Sequence, residues 1–252
     1  MQKVPFKCHG GKAYLAKRIA ELLPPGGKYR EPFLGGGAVL LAVKDRYASC
    51  VASDIDANTI LIWQNIKTRP GEYSKELIKV LYTKQNFAKA LDKQFPPHVN
   101  EYVLRRMSRG GLKRDFAWSY RTRGGIPGDH NAWLNAVRSL PSIDLGNVQF
   151  LVSDWSAAMR EEDAVYYLDP PYLHSTRTVT KAYEYEMDSD VHEALLKRIT
   201  SMNCPVVISG YDSELYNSYL GNWKKHLFEM PNHSGQGETK QRRVEVVWYN
   251  EK

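Results

Sequence analysis

Two consecutive strand–turn–helix units near the N-terminus constrain the fold of this chain more than any other feature. The first runs from a short strand at Tyr29–Leu34 through the glycines 35–37 into a helix at Ala38–Val43. The second runs from a strand at Cys50–Ser53 into a helix at Ala57–Ile66. Because successive strand–helix units favour parallel strands, the pattern predicts an α/β fold with a parallel sheet.

The alternation of strands and helices is interrupted between residues 67 and 146. This stretch is polar and helical in its periodicity, and part of it is rich in arginine, glycine and aromatic residues. The strand pattern then resumes in four runs, at Val148–Val152, Ala164–Leu168, Pro205–Ser209 and Val244–Tyr249. We therefore predict a catalytic domain built from residues 1–66 and 147–252, with residues 67–146 as an inserted, mainly helical domain.

The composition is that of a globular protein with a polyanionic partner. The chain has 252 residues, of which 42% are hydrophobic, and this is enough for one sizeable core and a smaller module. The net charge of +7 suits nucleic acid. Cys8, Cys50 and Cys204 lack the spacing of a zinc site, so no metal is expected. Since no apolar run could span a bilayer and the N-terminus has no apolar signal core, we expect a soluble, intracellular protein.

The glycine loop and the acid that ends the next strand indicate a nucleoside-containing cofactor. Glycines at a strand-to-helix turn let the backbone approach a ligand closely. The dinucleotide pattern would require glycine at Leu40, and the phosphate-loop pattern is absent. Asp54 is placed to accept hydrogen bonds from ribose hydroxyls. S-adenosylmethionine carries ribose without needing a phosphate cradle. The alternative is that the glycines form only a tight turn and Asp54 caps the next helix.

The segment Asp169-Pro170-Pro171-Tyr172 follows a run typical of a buried strand. Ligands bind at the carboxyl ends of strands in open α/β sheets, and two prolines make the backbone there stiff. The segment offers a carboxylate, free carbonyls and an aromatic face, which suit the exocyclic amine of a base. Stacking of a base on Tyr172 would contribute about 1–3 kcal/mol. The alternative is an ordinary turn after a strand.

In this order, the glycine loop, the insert and the Asp-Pro-Pro-Tyr segment resemble the Dam-like (D12 class) adenine-specific DNA N6-methyltransferases. The matching segments are Phe33-Leu34-Gly35-Gly36-Gly37 and Asp169-Pro170-Pro171-Tyr172. The similarity extends to Gly10-Gly11-Lys12, to Asp54 and to the terminal strand, and the joint occurrence is more specific than either motif alone. The resemblance implies a Rossmann-like, S-adenosylmethionine-dependent methyltransferase fold with an inserted target-recognition domain. The resemblance also leads us to expect a phage or prophage type, located in the cytoplasm of a prokaryotic cell or phage-infected host.

The resemblance also implies roles for individual residues. The residues expected at the cofactor are Phe6, Gly10, Gly11, Lys12, Phe33, Gly35, Gly36, Gly37, Asp54 and Asp169. The expected catalytic residues are Asp169, Pro170, Pro171 and Tyr172, with Asp169 and Pro170 binding the target amine and Tyr172 stacking on the flipped base. One departure is Cys8, where such enzymes often have an aromatic residue, and Phe6 is expected to substitute for it.

Basic residues cluster between residues 105 and 123, interleaved with aromatic residues and opposed by a single acid, Asp115. Such a cluster is the electrostatic footprint of phosphate binding. The expected DNA contacts here are Arg105, Arg109, Lys113, Arg114, Trp118, Arg121 and Arg123. Two later loops contribute Arg177, Lys240 and Arg242. The alternative for the cluster is a solvated basic face over a structural group of aromatic side chains.

These expectations combine into a site-specific DNA adenine methyltransferase that transfers a methyl group directly to N6 of an adenine flipped out of duplex DNA. Two alternatives are cytosine-N4 methylation and a non-catalytic DNA-binding protein on a methyltransferase fold. We expect a monomer or weak dimer that needs no metal. A separate restriction endonuclease is left open as a partner.

Overall fold

The computed structural model describes residues 3–123, 126–160, 163–173, 185–230 and 243–252. In chain order, the strands are β1 (Gly26–Glu31), β2 (Tyr47–Asp54), β3 (Thr122–Arg123), β4 (Ile126–Pro127), β5 (Val148–Val152), β6 (Val165–Leu168), β7 (Val206–Gly210), β8 (Lys224–Met230) and β9 (Arg243–Tyr249). The α-helices are α1 (Ala16–Leu22), α2 (Ala38–Val43), α3 (Ala57–Thr68), α4 (Pro70–Ile78), α5 (Lys84–Leu91), α6 (Pro97–Met107), α7 (Gly128–Ser139), α8 (Trp155–Ala158), α9 (Ser189–Ser201) and α10 (Glu214–Leu220).

Within these ranges, seven strands form the main sheet in the order β5-β2-β1-β6-β7-β9-β8. The first five are parallel, and β9 is antiparallel to both β7 and β8. The chain first builds the sheet outward from β1 through β2 to β5, and then starts again on the other side of β1 with β6. This arrangement confirms the predicted Rossmann-like α/β fold. It also makes the gap between β1 and β6 the topological switch point, where such sheets bind ligands.

Local sequence explains the elements that frame this gap. All four residues of β6 are buried, as expected for a central parallel strand covered on both faces. The side chain of Asp56 accepts a hydrogen bond from the Asn58 N–H and so caps the start of α3. Gly37 has a φ of +62°, and a Cβ at this position would lie 2.5 Å from the Trp63 ring. Only glycine therefore allows the loop to turn this tightly against α3.

The insert shares one hydrophobic core with the sheet. The Phe6 ring lies 5.4 Å from Trp63 of α3 and 6.4 Å from Tyr102 of α6. Tyr102 in turn lies 5.7 Å from Trp133 of α7, and Trp63 stacks on Phe150 of β5 at 5.4 Å. Helices α6 and α7 are therefore fixed to the main sheet through continuous aromatic packing.

The strand β8 was not expected from the sequence. It lies at the edge of the sheet, and Lys224, Lys225 and His226 are all exposed, while Phe228 is buried. Charged residues are common on edge strands because they discourage pairing with other chains. The same charge hides the apolar alternation by which strands are recognised. Across the described ranges, no helix combines the length and apolar character needed to cross a membrane.

Candidate active site

A cavity of about 810 Å³ lies at the switch point, at the carboxyl ends of β1, β2 and β6. The strand ends meet here because β1 pairs with β2 on one side and β6 on the other. The structure brings together in its lining all the residues predicted at the cofactor: Phe6, Gly10, Gly11, Lys12, Phe33, Gly35, Gly36, Gly37, Asp54 and Asp169.

The glycine loop and Asp54 form one hydrogen-bonded unit. The Gly35 N–H donates to Asp54 Oδ2 at 2.8 Å, and the Asp56 N–H donates to Asp54 Oδ1 at 3.0 Å. On the other side of the loop, Trp63 Nε1 donates to the Gly35 carbonyl at 3.1 Å. Burial raises the pKa of Asp54, and the two backbone N–H groups oppose that rise. The carboxylate is thereby held in place at the end of β2.

The wall beside the glycine loop is formed by Phe6 and Cys8. Phe6 is 1% exposed and packs into the core, whereas Cys8 comes closer to the loop: its Sγ is 3.9 Å from the position of a Cβ on Gly35. Arg105 Nη1 donates to Cys8 Sγ at 2.9 Å. Burial raises the pKa of Cys8 to about 11, so it stays a thiol at neutral pH. On the Gly35 side of the loop, the small side chain of Cys8 therefore comes closer than the Phe6 ring.

Arg105 does not occupy the position predicted for it. It is 7% exposed, and its Nη2 lies 2.6 Å from Asp56 Oδ2 while its Nε lies 2.7 Å from Glu101 Oε1. Nη2 also donates to Thr59 Oγ1 at 2.8 Å. Because the guanidinium is buried in contacts with protein, it is not available to bind phosphate, and the assignment of Arg105 as a DNA contact was wrong. Arg105, Asp56, Glu101, Thr59 and Cys8 are called the Arg105 cluster below.

A second buried cation, Lys12, holds the predicted catalytic carboxylate. Lys12 is 4% exposed, and its Nζ lies 2.7 Å from Asp169 Oδ1 and 3.2 Å from Glu245 Oε1. The same Nζ donates to the Gly10 carbonyl at 2.9 Å. Lys12, Asp169, Glu245 and Tyr172 are called the Lys12 cluster. The cluster joins the N-terminal segment, the end of β6 and strand β9.

Asp169 keeps access to the cavity within this cluster. Its side chain is 19% exposed, against 3% for Glu245. Burial raises the pKa of Asp169 to about 6; the Lys12 ammonium lowers it, and the negative charge of Glu245 raises it. Asp169 is therefore mainly ionised at neutral pH and can accept hydrogen bonds from a ligand.

Tyr172 lies behind this carboxylate. It is 6% exposed, and its hydroxyl donates to Glu245 Oε1. Lys12 Nζ lies 4.8 Å from the centre of its ring, and the Tyr211 ring packs edge-on at 4.6 Å. Of the Asp169–Tyr172 segment, the described cavity lining contains Asp169 and Pro171 but not Pro170 or Tyr172.

Two buried acids at the site were not predicted from sequence as functional residues, Glu245 and Glu31. Glu31 lines the cavity at the end of β1, is 2% exposed and accepts a hydrogen bond from the Tyr29 hydroxyl at 2.6 Å. Burial raises the pKa of Glu31 to about 8. Glu245 interrupts the otherwise apolar and aromatic run Val244–Tyr249, and this interruption is the sequence feature that could have revealed it. Glu31 ends a strand that is already polar, so its sequence gives no such signal.

The predicted DNA contacts of the insert divide by exposure. Arg109, Arg114 and Arg121 are exposed, and Trp118 is 49% exposed beside Tyr120 at 93%. Lys113 is half-buried, with its Nζ 3.1 Å from Glu101 Oε1. The backbone of Arg123 belongs to β3, while Arg177, Lys240 and Arg242 lie outside the described residues. Within the described part of the chain, no three His, Cys, Asp or Glu side chains come together as metal ligands would.

The family model and the curated relatives that the chain matches agree with each other. The sequence matches the family model described as D12 class N6 adenine-specific DNA methyltransferase over residues 9–108 and 125–233. It is 26% identical to the DNA adenine methylase of Salmonella typhimurium, over 96% of this chain and 93% of that protein. It is 25% identical to the DNA adenine methylase of Escherichia coli (strain K12), over 89% of this chain and 86% of that protein. Among solved structures, it is similar to the N-methyltransferase NodS from Bradyrhizobium japonicum WM9, with 7% identity and a TM-score of 0.43 over 96% of this chain and 95% of that one.

Proposed function

Since the chain belongs to the family of D12 class N6 adenine-specific DNA methyltransferases, we propose that it transfers a methyl group from S-adenosylmethionine directly to N6 of an adenine flipped out of duplex DNA. The observation that carries this proposal is a single cavity that holds both the glycine loop with Asp54 and the carboxylate of Asp169. A methyl donor and a target amine could therefore meet in it.

The cavity fits S-adenosylmethionine in size and in its polar groups. A volume of about 810 Å³ lies within the range of cofactor sites, roughly 300–1,000 Å³. Asp54 uses two of its acceptor positions on the N–H groups of Gly35 and Asp56, and a carboxylate has about four. This leaves capacity for the ribose hydroxyls. When bound, S-adenosylmethionine supplies a methyl group attached to a sulfonium sulfur, and the sulfur keeps the electron pair of the S–C bond that breaks.

Asp169 and Pro170 would prepare the target amine. The lone pair of an exocyclic amine is delocalised into its ring, which makes the nitrogen a poor nucleophile. Pro170 does not line the cavity in the present arrangement, so its carbonyl would reach the amine only after the segment rearranges. If the Asp169 carboxylate and the Pro170 carbonyl then accept the two hydrogens of the amine, they favour a pyramidal nitrogen whose lone pair points at the methyl group. The Asp169 carboxylate then stabilises the positive charge that develops on the amine. The surplus proton leaves to water, so no strong base is required.

Lys12 would orient Asp169 during this step. Its Nζ lies 2.7 Å from Oδ1, and this contact fixes the plane of the carboxylate at the cavity edge. Stacking of the flipped base on Tyr172 requires more than the present arrangement, because the ring is 6% exposed and packed by Tyr211. We propose that the segment around Tyr172 rearranges when DNA binds.

The exposed face of the insert would hold the DNA backbone. Arg109, Arg114 and Arg121 are exposed beside Trp118 and Tyr120, a combination of cations and aromatic rings that suits phosphate contact and base stacking. We further propose that the enzyme acts in the cytoplasm as a monomer or weak dimer, and that no metal takes part. The family match favours adenine over the alternative of cytosine-N4 methylation.

The experiment is to incubate the protein with S-adenosylmethionine and unmethylated duplex DNA, digest the DNA to nucleosides and analyse them by mass spectrometry. We expect N6-methyladenine, formed about 10³-fold more slowly by the Asp169→Ala variant, which is the matched control. N4-methylcytosine as the product would show that the target base is cytosine and not adenine. No methylated product, together with no binding of S-adenosylmethionine, would leave a DNA-binding protein without catalysis.

A further inference from the structure

Glu245 is a carboxylate in a place where the fold calls for an apolar residue. It lies on β9 between Val244 and Val246, is 3% exposed, and shares its sheet face with the buried Val247. Burying a carboxylate is costly unless it is paired and hydrogen-bonded, and apolar replacements of such groups are often neutral or stabilising. Folding alone therefore does not account for an acid here.

The contacts of Glu245 lead to the target-base side of the cavity. Its Oε1 accepts the Tyr172 hydroxyl and lies 3.2 Å from Lys12 Nζ, while the Tyr14 hydroxyl donates to Oε2 at 3.4 Å. Lys12 is thus shared between two carboxylates. One of them, Asp169, is open to the cavity, and the other is sealed behind it.

The sharing has an electrostatic consequence for Asp169. A lysine paired with Asp169 alone would neutralise its charge and make it a weaker acceptor for the target amine. With Glu245 on the same ammonium, the three groups carry one net negative charge when ionised, and Asp169 is where that charge meets the cavity. Methyl transfer makes the amine positive, so this surplus charge stabilises the transition state.

We propose that Glu245 is a positioning residue for methyl transfer: it shares Lys12 with Asp169, so that the ammonium neutralises less of the charge that the ionised catalytic carboxylate presents to the target amine, and it anchors the Tyr172 hydroxyl. This inference rests on the proposed function. It gives a role in the reaction to a residue far along the chain from the Asp-Pro-Pro-Tyr segment.

The test is Glu245→Gln, which keeps the shape of the side chain and removes its charge. We expect the single-turnover rate to fall roughly 10- to 100-fold, the size expected for one charge-assisted hydrogen bond, with little change in the Kd values for DNA and S-adenosylmethionine. The charge of Glu245 raises the pKa of Asp169. In Glu245→Gln, the fall of the rate at low pH, which is the acid limb of the pH–rate profile, should therefore move to lower pH. Glu229→Gln, an exposed acid on the neighbouring strand β8, is the matched control and should behave as the wild type.

The acid limb separates positioning from a structural role. Seven titratable groups interact electrostatically with Asp169: Lys12, Glu31, Glu245, Tyr14, Tyr167, Tyr172 and Tyr216. Of these, Glu245→Gln removes one negative charge and leaves the others in place. A fall in rate with an unmoved limb would mean that Glu245 only supports the fold, and would overturn the proposal, as would an unchanged rate.

Two further measurements keep the test decisive. Glu245→Asp retains the charge on a shorter stem, so its rate should fall while the limb stays at the wild-type pH; a limb displaced to lower pH in this variant would contradict the proposal even if the Gln variant does not fold. In a Lys12→Met background, Glu245→Gln should lower the single-turnover rate by less than a further threefold, because Glu245 acts through the Lys12 ammonium. An inactive wild type would overturn the proposed function itself, whereas an active wild type with an unaffected Glu245→Gln variant would overturn only this inference.

Discussion

The Lys12 cluster and the Arg105 cluster are built from the same parts. Each places one buried cation between two carboxylates. Glu101 lies one turn from Arg105 on α6, whereas Asp56, Asp169 and Glu245 are distant in sequence from the cations that they contact. Lys12 is 4% exposed between Asp169 and Glu245, and Arg105 is 7% exposed between Asp56 and Glu101. Both clusters border the same cavity.

They differ in how closed the geometry is. Arginine presents five N–H donors in a rigid fork, and Arg105 forms four hydrogen bonds with them, to Asp56, Glu101, Thr59 and Cys8. Lysine is a compact charge with three donors, and one of its partners, Asp169, is 19% exposed to the cavity, whereas the side chains of Asp56 and Glu101 are each 8% exposed. The closed cluster suits a wall that ties the insert to the sheet. The open cluster suits chemistry.

The largest effect that would test this contrast is the loss of the open carboxylate. Asp169→Ala should lower the single-turnover rate by about 10³-fold, because it removes an acceptor that acts on the amine as charge develops. Binding of S-adenosylmethionine, measured by calorimetry, should stay within about threefold, since Asp54 and the glycine loop remain. Near-normal turnover would show that the open cluster is not the catalytic one.

Removing the cation of the open cluster should have the next largest effect. Lys12→Met leaves Asp169 and Glu245 buried without their counter-charge, and we expect a fall in rate of about 10²-fold. Because the Lys12 ammonium holds the pKa of Asp169 down against burial, its loss should move the acid limb of the rate to higher pH. The pH–rate profile checks this direction, and an unmoved limb would mean that Lys12 does not act on Asp169.

The open carboxylate also predicts opposite responses of activity and stability to pH. Burial raises the pKa of Asp169 from its ordinary value to about 6, so the rate should fall about tenfold per pH unit below 6 as the acceptor is protonated. A carboxyl whose pKa is raised by folding destabilises the folded state when ionised, and this cost disappears as pH falls from above 6 towards the unfolded pKa. The contribution of Asp169 to unfolding free energy should therefore improve over the range in which activity is lost. Urea denaturation at pH 7.5 and at pH 5 would measure the free energies of unfolding of the wild type and of Asp169→Asn. The difference between the two proteins should be smaller at pH 5.

The fold and the positions of the glycine loop, Asp54 and Asp169 could be predicted because they depend on local sequence patterns. The strand–helix alternation placed the glycine loop, Asp54 and Asp169 at strand ends, and parallel strands bring such ends to one edge of the sheet. Arg105 was misassigned because seven basic residues between 105 and 123 suggested one surface. Burial follows the face of α6 instead, on which Glu101 and Arg105 are neighbours one turn apart. Glu245 was missed because its partner Lys12 lies near the other end of the chain.

Breaking the closed cluster should affect stability more than chemistry. Arg105→Met removes the counter-charge of Asp56 and Glu101, so the free energy of unfolding should fall by about 3–5 kcal/mol in urea denaturation. The KM for S-adenosylmethionine should rise several-fold because the cavity wall loosens, while the acid limb of the rate stays in place. Unchanged stability combined with a weaker salt dependence of DNA binding would instead restore Arg105 as a phosphate contact.

The smallest effect is expected on the exposed face of the insert, outside both clusters. Arg121 is exposed, so Arg121→Gln should weaken DNA binding by a few-fold for every sequence and reduce the slope of log K against log salt by about 1, as the loss of one phosphate contact requires. The rate at saturating DNA should not change, because no contact with either cluster is lost. Arg138→Gln on α7, also exposed, is the matched control. An equal reduction in slope for both variants would mean that the effect reports net charge alone, and that the 105–123 segment holds no privileged position on the DNA.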